Sequence, residues 1–346
     1  MDQNDKKINP FVLLLTLIAS LALSALFLFL AKNQQSENNL KEQVDKSYEN
    51  NFFYFQASPA KQKIEARINT IKGGQTLVEL LKGRWSLVFF GYTFCPDICP
   101  LSMKITADLL KQMNSEHPEY PLQVLFISVD PERDSREKLD KFSASFKTSG
   151  LYAYTSSEQE LKKIMNALQT NYFYEKKSST DENYAVQHPS GFYLFSPQSE
   201  YMGRFTGTNQ SGQIKKELLD FLSDTDYPSV AKLQVELDSE AAMGVGYFEI
   251  QGSKQRDYTL KKVSIESRSD SVVEMHESLE VDGMHKMQEL PELKISKSSQ
   301  QVFAPGGKHL MLMNLNATEL SNTELALKFE FSDGLSLSYR ARIITR

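Results

Sequence analysis

The sequence predicts an α/β domain followed by an all-β domain, both behind one apolar N-terminal helix. Three observations support this prediction: an uncharged apolar run, then strand and helix patterns that alternate, then short strands between Gly, Asp and Asn turns. They occupy residues 11–31, 59–223 and 230–346 respectively. A chain of 346 residues has room for two domains of roughly 150 residues each.

The apolar run at residues 11–31 predicts a transmembrane helix, because 21 residues suffice to cross about 30 Å of hydrocarbon. Lys6 and Lys7 precede it, so residues 1–10 are expected in the cytoplasm and the rest across the membrane. No A-x-A site follows the run, which favours an uncleaved anchor over a signal peptide. The polar segment 32–58 is then a tether.

Composition narrows the classes of function. Hydrophobic content of 40% and aromatic content of 11% are typical of globular domains, and a net charge of −5 gives no electrostatic basis for nucleic-acid binding. The two cysteines lie in one short stretch, whereas three of the five histidines lie near methionines after residue 270. These two clusters are the candidate sites.

Both cysteines lie in FFGYTFCPDICPLSM, residues 89–103. An apolar strand ends at Gly91, and helical spacing begins after Pro100, so Cys99 is expected near a helix N-terminus that favours its thiolate. Three residues separate Cys95 from Cys99, a spacing that lets both sulfurs bind one soft ion and still permits a redox disulfide. The alternative, a purely stabilising disulfide, would close a loop of only about five residues and stabilise little.

The elements that follow predict a thioredoxin-like α/β arrangement. They are a buried strand at 121–129, helices at 135–146 and 157–168, a polar loop at 171–183, strands at 192–195 and 201–205, and a helix at 211–222. Asp134 with Glu137 predicts a capping box for the first helix. Asp130 and Arg133 lie at the end of a central strand and are interpreted as turn residues, with a functional role as the alternative. His188 precedes a strand, where a lone histidine is usually solvated.

Three separated motifs, VFFGYTFCPDICPLSM, ISVDPERDSREKL and the histidine before FYLFSP, resemble the Sco/SenC family of membrane-anchored copper proteins. The resemblance implies a thioredoxin fold that binds copper through Cys95, Cys99 and His188. It also implies a role in building the CuA centre of cytochrome c oxidase, by copper delivery, by reduction of the target cysteines, or by both. Gln187 and Pro189 depart from the acidic residue and the serine that commonly flank the family's histidine.

The donor chemistry agrees with copper, since thiolates select Cu(I) and an added imidazole accommodates Cu(II). A structural zinc site usually has four protein ligands, and the sequence offers three here. A metal-free dithiol can exchange with a partner disulfide, so a thiol-disulfide reductase is the second hypothesis. A peroxide-type thiol enzyme or redox sensor on the same fold is the third.

The second cluster has regular spacing: ten residues separate His276 from Met287, twenty-one separate Met287 from His309, and one separates His309 from Met311. Strand alternation places His309 and Met311 on one face, so imidazoles and thioethers could converge on Cu(I). The alternative is that these methionines fill the core.

MHESLEVDGMHKM followed by FAPGGKHLMLMNL resembles the PCuAC family of periplasmic copper chaperones, whose signature is H-x10-M-x21-H-x-M. The resemblance covers residues 243–344 and implies a cupredoxin-like β-sandwich with His276, Met287, His309 and Met311 as Cu(I) ligands. Further donors nearby are interpreted as surface or core residues, with a role in copper transfer as the alternative; they are Met275, Met284, His285 and Met313.

Together the two resemblances imply a copper metallochaperone rather than an enzyme, anchored in a bacterial inner membrane with both domains in the periplasm. The implied partners are subunit II of cytochrome c oxidase and other periplasmic copper chaperones or thiol reductases. In the leading hypothesis the second domain holds Cu(I) and passes it to, or works in parallel with, the cysteine site.

Overall fold

The computed structural model describes most of the chain after the predicted tether, namely residues 54–57, 62–70, 73–96, 98–178, 181–206, 211–238, 242–266, 270–281, 284–315 and 324–345. Residues 55–346 form one structural unit. The predicted anchor at 11–31 lies outside the described residues, and within them no helix is long and apolar enough to cross a membrane.

The first strand of this domain lies inside residues 32–58, the segment assigned to the tether. In chain order its elements are β1 (Tyr54–Ala57), β2 (Arg67–Thr70), β3 (Gly73–Thr76), α1 (Leu77–Leu81), β4 (Trp85–Gly91), α2 (Ile98–Glu116), β5 (Leu122–Ser128), α3 (Arg136–Ser145), β6 (Leu151–Tyr154), α4 (Glu158–Ala167), β7 (Phe173–Glu175), β8 (Ala185–Gln187), β9 (Phe192–Phe195), β10 (Tyr201–Thr206) and α5 (Ser211–Ser223).

Six of these strands form one sheet in the order β1-β10-β9-β4-β5-β6. Strands β4, β5 and β6 run parallel, whereas β9 and β10 are antiparallel. Every residue of β4 and β5 is buried, as expected for central parallel strands covered on both faces. The arrangement confirms the predicted thioredoxin-like fold and places the ends of β4 and β5 side by side.

The predicted cap of α3 is wrong. Ser135 is the N-cap, and its hydroxyl accepts a hydrogen bond from the backbone N–H of Lys138. Asp134 is buried instead and accepts hydrogen bonds from the backbone N–H of Thr93 (2.9 Å) and from the Ser128 hydroxyl (2.5 Å). A buried carboxylate needs such donors, so Asp134 ties the loop after β4 to the end of β5.

The predicted polar loop at 171–183 is also wrong in part. Its first residues form β7, which pairs antiparallel with β8 in a small sheet of its own, with Phe173 opposite Gln187. Three-residue strands are too short for a period-two pattern to identify them. The pairing matters because β8 ends one residue before His188.

The second domain is β-rich, as predicted. Its strands are β11 (Ser229–Asp238), β12 (Met243–Gln251), β13 (Tyr258–Ile265), β14 (Val272–Val281), β15 (Met284–Glu289), β16 (Leu293–Ile295), β17 (Gln300–Phe303), β18 (Lys308–Met313), β19 (Glu324–Phe331) and β20 (Ser336–Thr345). The sequence predicts a sandwich, and hydrogen bonds link these ten strands into one continuous sheet around a single apolar core. β11 joins its two halves by pairing with both β12 and β20.

The two domains contact each other through the turn before β4. The backbone N–H of Ser338 donates to the carbonyl of Gly83 (2.7 Å), and Arg84 forms an ion pair with Glu266. Trp85 packs edge-on against Tyr227, with ring centroids 5.3 Å apart. The junction therefore combines backbone, ionic and aromatic contacts.

Candidate metal centres

The structure brings the three predicted ligands of the first domain together. One donor atom each from Cys95, Cys99 and His188 lies within 4.8 Å of the other two, and Cys99 Sγ is 3.6 Å from His188 Nε2. Cys95 belongs to the loop after β4, Cys99 to the first turn of α2, and His188 to the segment after β8. In the part of the chain that the structure describes, this is the only such group of His, Cys, Asp or Glu residues.

The sulfur of Cys99 fits only because β4 ends in glycine. A Cβ at Gly91 would lie 2.8 Å from Cys99 Sγ and 2.7 Å from Phe126 Cε2, both closer than real Cβ contacts allow. The glycine that breaks the apolar run in the sequence therefore has a steric role in the site.

The two cysteines are free and differ in exposure, since Cys95 is half-buried and Cys99 is buried. Burial raises the pKa of the Cys99 thiol, and the neighbouring Cys95 contributes in the same direction. The prediction that the helix N-terminus favours the Cys99 thiolate is therefore wrong for the metal-free site. Desolvation is the largest cause of the raised pKa of Cys99.

His188 is held in an orientation suited to binding. Its Nδ1 lies 3.1 Å from the carbonyl oxygen of Pro189, so Nδ1–H is the donor and the lone pair of Nε2 faces Cys99. Burial lowers the pKa of the ring. Phe89 and Tyr92 each meet it edge-on, with ring centroids 6.0 Å away.

The two residues that depart from the family's pattern, Gln187 and Pro189, have defined contacts. The Pro189 carbonyl supplies the orienting contact, a role that a neighbouring carboxylate often has at metal sites. Gln187 lies on β8 and donates from its side chain to Glu175 Oε1 (2.7 Å), so it stabilises the β7–β8 pair.

In the second domain, the predicted ligands lie on three neighbouring strands. His276 on β14 is directly opposite His309 on β18, with ring centroids 5.8 Å apart. Met287 on β15 is diagonal to His276, and its Sδ lies 3.2 Å from His276 Nδ1. Met311 is two residues from His309 on β18, hence on the same face.

Glu274 was missed by the sequence reasoning. It lies two residues before His276 on the same face of β14, opposite Met311, and its Oε2 is 3.0 Å from His276 Nε2. The period of two along a strand is the signal that could have found it. Since a carboxylate only accepts, Nε2–H is the donor in the neutral ring, and the Nδ1 lone pair faces Met287.

The remaining donors have different positions. The Nδ1 of His309 lies 3.1 Å from the carbonyl oxygen of Gly307, which leaves its Nε2 lone pair free to bind. Met275 belongs to the core, whereas Met313 is half-buried on the face of Met311. The side chains of Met284 and His285 lie outside the described residues.

The fold and the Cys95, Cys99 and His188 group define a thioredoxin-like protein with a candidate dithiol–imidazole metal site. The SCO1/SenC family profile matches residues 67–223, and a profile described as putative lipoprotein LpqE-like, of the PCuAC type, matches residues 228–343. The chain thus contains an SCO1/SenC domain followed by an LpqE-like domain, and both resemblances predicted from the sequence are confirmed.

Curated relatives match the first domain. The mitochondrial SCO1 homolog of Homo sapiens is 31% identical over 132 residues, which are 38% of this chain and 43% of that protein. A putative copper-binding protein of Stutzerimonas stutzeri is 33% identical over 125 residues, 36% of this chain and 59% of that protein. A crystal structure of Arabidopsis thaliana ScoI with copper bound is 25% identical with a TM-score of 0.42, covering 46% of this chain and 98% of that one. The chain spans about half the length of the curated relatives it matches.

Proposed function

We propose that this chain is a copper metallochaperone that takes part in assembling the CuA centre of cytochrome c oxidase. The observation that carries the proposal is the convergence of Cys95, Cys99 and His188 within 4.8 Å in an SCO1/SenC domain. Two soft sulfurs and one imidazole form a donor set that suits Cu(I) and also accommodates Cu(II). Copper is the cargo of this site, with the oxidase subunit that carries CuA as the recipient.

The second domain supplies a separate Cu(I) site in this proposal. Its ligands are Nδ1 of His276, Nε2 of His309, and the thioethers of Met287 and Met311. Glu274 and the Gly307 carbonyl accept the N–H of the two imidazoles, which fixes their tautomers. Thioethers do not form disulfides, so this site is expected to hold Cu(I) in an oxidising compartment where the thiols are oxidised.

The apolar run in the sequence supports a proposed location. We propose that residues 11–31 anchor the chain in a bacterial inner membrane and that both domains act in the periplasm. Cu(I) held by the second domain then moves to the cysteine site or is delivered in parallel with it. Other periplasmic copper chaperones or thiol reductases are the expected suppliers of metal or electrons.

A second candidate function is thiol-disulfide reduction of the CuA cysteines. The unequal burial of the two thiols favours it, since Cys95 is accessible enough to attack a partner disulfide and Cys99 lies behind it as the resolving thiol. Two protein thiols would become one disulfide while the partner disulfide becomes two thiols. In that case the second domain alone carries copper.

Cu(I) stoichiometry separates the two functions. A reduced protein lacking residues 1–32 is titrated with Cu(I), alongside a Cys95→Ser/Cys99→Ser variant and a His276→Ala/His309→Ala variant. Two ions bound by the parent protein and one by each variant would support the metallochaperone. If the cysteine variant binds as much copper as its parent, the reductase becomes the better function.

A further inference from the structure

The loop that carries Cys95 and the segment that carries His188 are distant in sequence. Arg133 contacts both of these segments. Arg133 lies in the turn after β5, between the loop that leads to Cys95 and the segment that leads to His188. Its side chain is 12% exposed, and its Nε donates to Asp130 Oδ2 at 2.5 Å. Asp130 is itself fully buried.

On the cysteine side, the guanidinium contacts two aromatic rings. Its Cζ lies 5.6 Å from the ring centroid of Tyr92 and 4.9 Å from that of Phe94, the residue before Cys95. Cation–π contacts of this kind are attractive, and more so where water is excluded. Tyr92 in turn meets the His188 ring edge-on.

On the histidine side, the contacts are closer. The guanidinium stacks on Tyr184 with Cζ 3.5 Å from the ring centroid. Its Nη1 donates to the backbone carbonyls of Tyr184 (2.9 Å) and Glu182 (3.1 Å). The Tyr184 hydroxyl donates to Asp130 Oδ1 (2.7 Å), which closes a ring of contacts. This segment runs directly into β8 and His188.

We propose that Arg133 is a positioning residue of the cysteine site, which joins the Cys95 loop to the His188 segment and thereby sets how closely the imidazole approaches the two sulfurs. The inference rests on the proposed copper site. It corrects the interpretation of Arg133 as a simple turn residue, since a turn requires none of these side-chain contacts.

Lysine cannot replace arginine in this role. A lysine retains the positive charge and can pair with Asp130, but it has no planar group to stack on Tyr184 and no rigid fork to donate to Asp130 and two carbonyls together. Arg133→Lys therefore removes the contacts that join the Cys95 loop to the His188 segment, while it keeps the positive charge. Arg136 is the matched control, because it forms an ion pair with Asp140 and lies 5.1 Å from the Tyr154 ring, on contacts that involve none of the three ligands.

The test measures metal-free and copper-loaded protein in parallel. In reduced metal-free protein, alkylation of the buried Cys99 by iodoacetamide is expected to be at least fivefold faster in Arg133→Lys than in the parent and unchanged in Arg136→Lys. With Cu(II), the sulfur-to-copper absorption band is expected to shift in Arg133→Lys alone, and competition with a Cu(I) chelator is expected to show at least a tenfold loss of affinity.

Two further variants keep the test decisive if Arg133→Lys folds poorly. Tyr184→Leu removes the stacking surface and is expected to reproduce the changes, whereas Tyr184→Phe keeps the ring and is expected to show a smaller effect. The inference would be overturned if Arg133→Lys had the same alkylation rate and spectrum as the parent protein. It would also be overturned if Arg136→Lys changed both as much as Arg133→Lys does. A parent protein whose cysteines bind no copper would instead refute the proposed function, and the alkylation rates would still test the role of Arg133.

Discussion

The two candidate copper sites differ in depth and in how the chain assembles them. Cys99 is fully buried in the first domain, whereas Met287 is 54% exposed in the second. The first site joins segments from a loop, a helix and a hairpin, and the second lies on neighbouring strands of one sheet. The first therefore depends on tertiary packing, and the second depends on strand register.

This difference has a chemical counterpart. Thiols lose their ligand form on oxidation, and thioethers and imidazoles retain theirs under mild oxidants. One chain can thus hold a site that responds to the redox state and another that does not. The exposed thioether of Met287 suits the second site to exchange with solvent or partners, and the burial of Cys99 suits the first site to retention until a partner approaches.

Thiol oxidation is expected to produce the largest difference in Cu(I) binding between the two sites. After treatment with a thiol oxidant such as diamide, followed by its removal, we expect the protein to lose one of two bound Cu(I) equivalents. The remaining equivalent should be sensitive to His276→Ala/His309→Ala. The Cys95→Ser/Cys99→Ser variant should bind one equivalent before and after oxidation, and a loss from that variant would contradict the assignment of redox sensitivity to the thiols.

The next largest effect is expected from Gly91→Ala. The added Cβ would meet the Cys99 sulfur at 2.8 Å, so the sulfur or β4 must shift. Overpacking of this kind costs about 1–3 kcal/mol in unfolding free energy. Affinity for Cu(I) at the first site should fall at least tenfold, measured by chelator competition, with the second site unchanged.

Gly212→Ala is the matched control for that substitution. Gly212 lies in α5, and a Cβ there would meet no atom within 4 Å. Alanine in a helix is favoured over glycine by up to about 1 kcal/mol, so this variant should be as stable as the parent or more so. If Gly91→Ala behaves in the same way, the steric account of the site is wrong.

Local patterns in the sequence predicted much of this arrangement. The break at Gly91, the cysteine spacing and the helix after Pro100 are near neighbours in the chain, so the pattern identifies the site directly. The strands of the second domain alternate clearly, and their register brings His276 opposite His309. Sequence spacing is informative because the ligands of the second domain lie on regular strands, and because Cys95 and Cys99 lie close together where β4 gives way to α2.

Tertiary contacts account for what the sequence did not show. Asp134 resembles a helix cap, but its carboxylate is buried against Thr93 and Ser128. Arg133 reads as a turn residue because its partner Tyr184 is 51 positions away. The burial that raises the pKa of Cys99 is likewise a property of the packed core, which a helix N-terminus in the sequence cannot reveal.

Met287→Leu should sharpen the account of the second site. Leucine conserves the volume of methionine but removes the sulfur that lies 3.2 Å from His276 Nδ1. We expect about a tenfold loss of Cu(I) affinity there, equivalent to roughly 1.4 kcal/mol, and no change at the cysteines. Met313→Leu, on the same face but outside the predicted ligand set, should retain the parental affinity; equal losses in both would contradict the assigned set.

The smallest effect concerns pH and the metal-free protein. Burial lowers the pKa of His188 below its ordinary value of 6.5, so below pH 6.5 the unfolded chain binds a proton that the folded chain does not. The unfolding free energy should therefore fall as pH decreases from 6.5, and this contribution should level off below the folded pKa. One group contributes at most about 1.4 kcal/mol per pH unit.

Urea unfolding at a series of pH values checks this contribution. His188→Gln removes the titrating ring and should flatten the dependence between neutral pH and pH 5. His117→Gln is the control, because His117 is half-exposed beside Glu119 after the end of α2, away from the three ligands. If the slope of unfolding free energy against pH is unchanged in His188→Gln, the ring is more solvated than its contacts with Phe89 and Tyr92 indicate. The first site would then be less buried than its contrast with the second site requires.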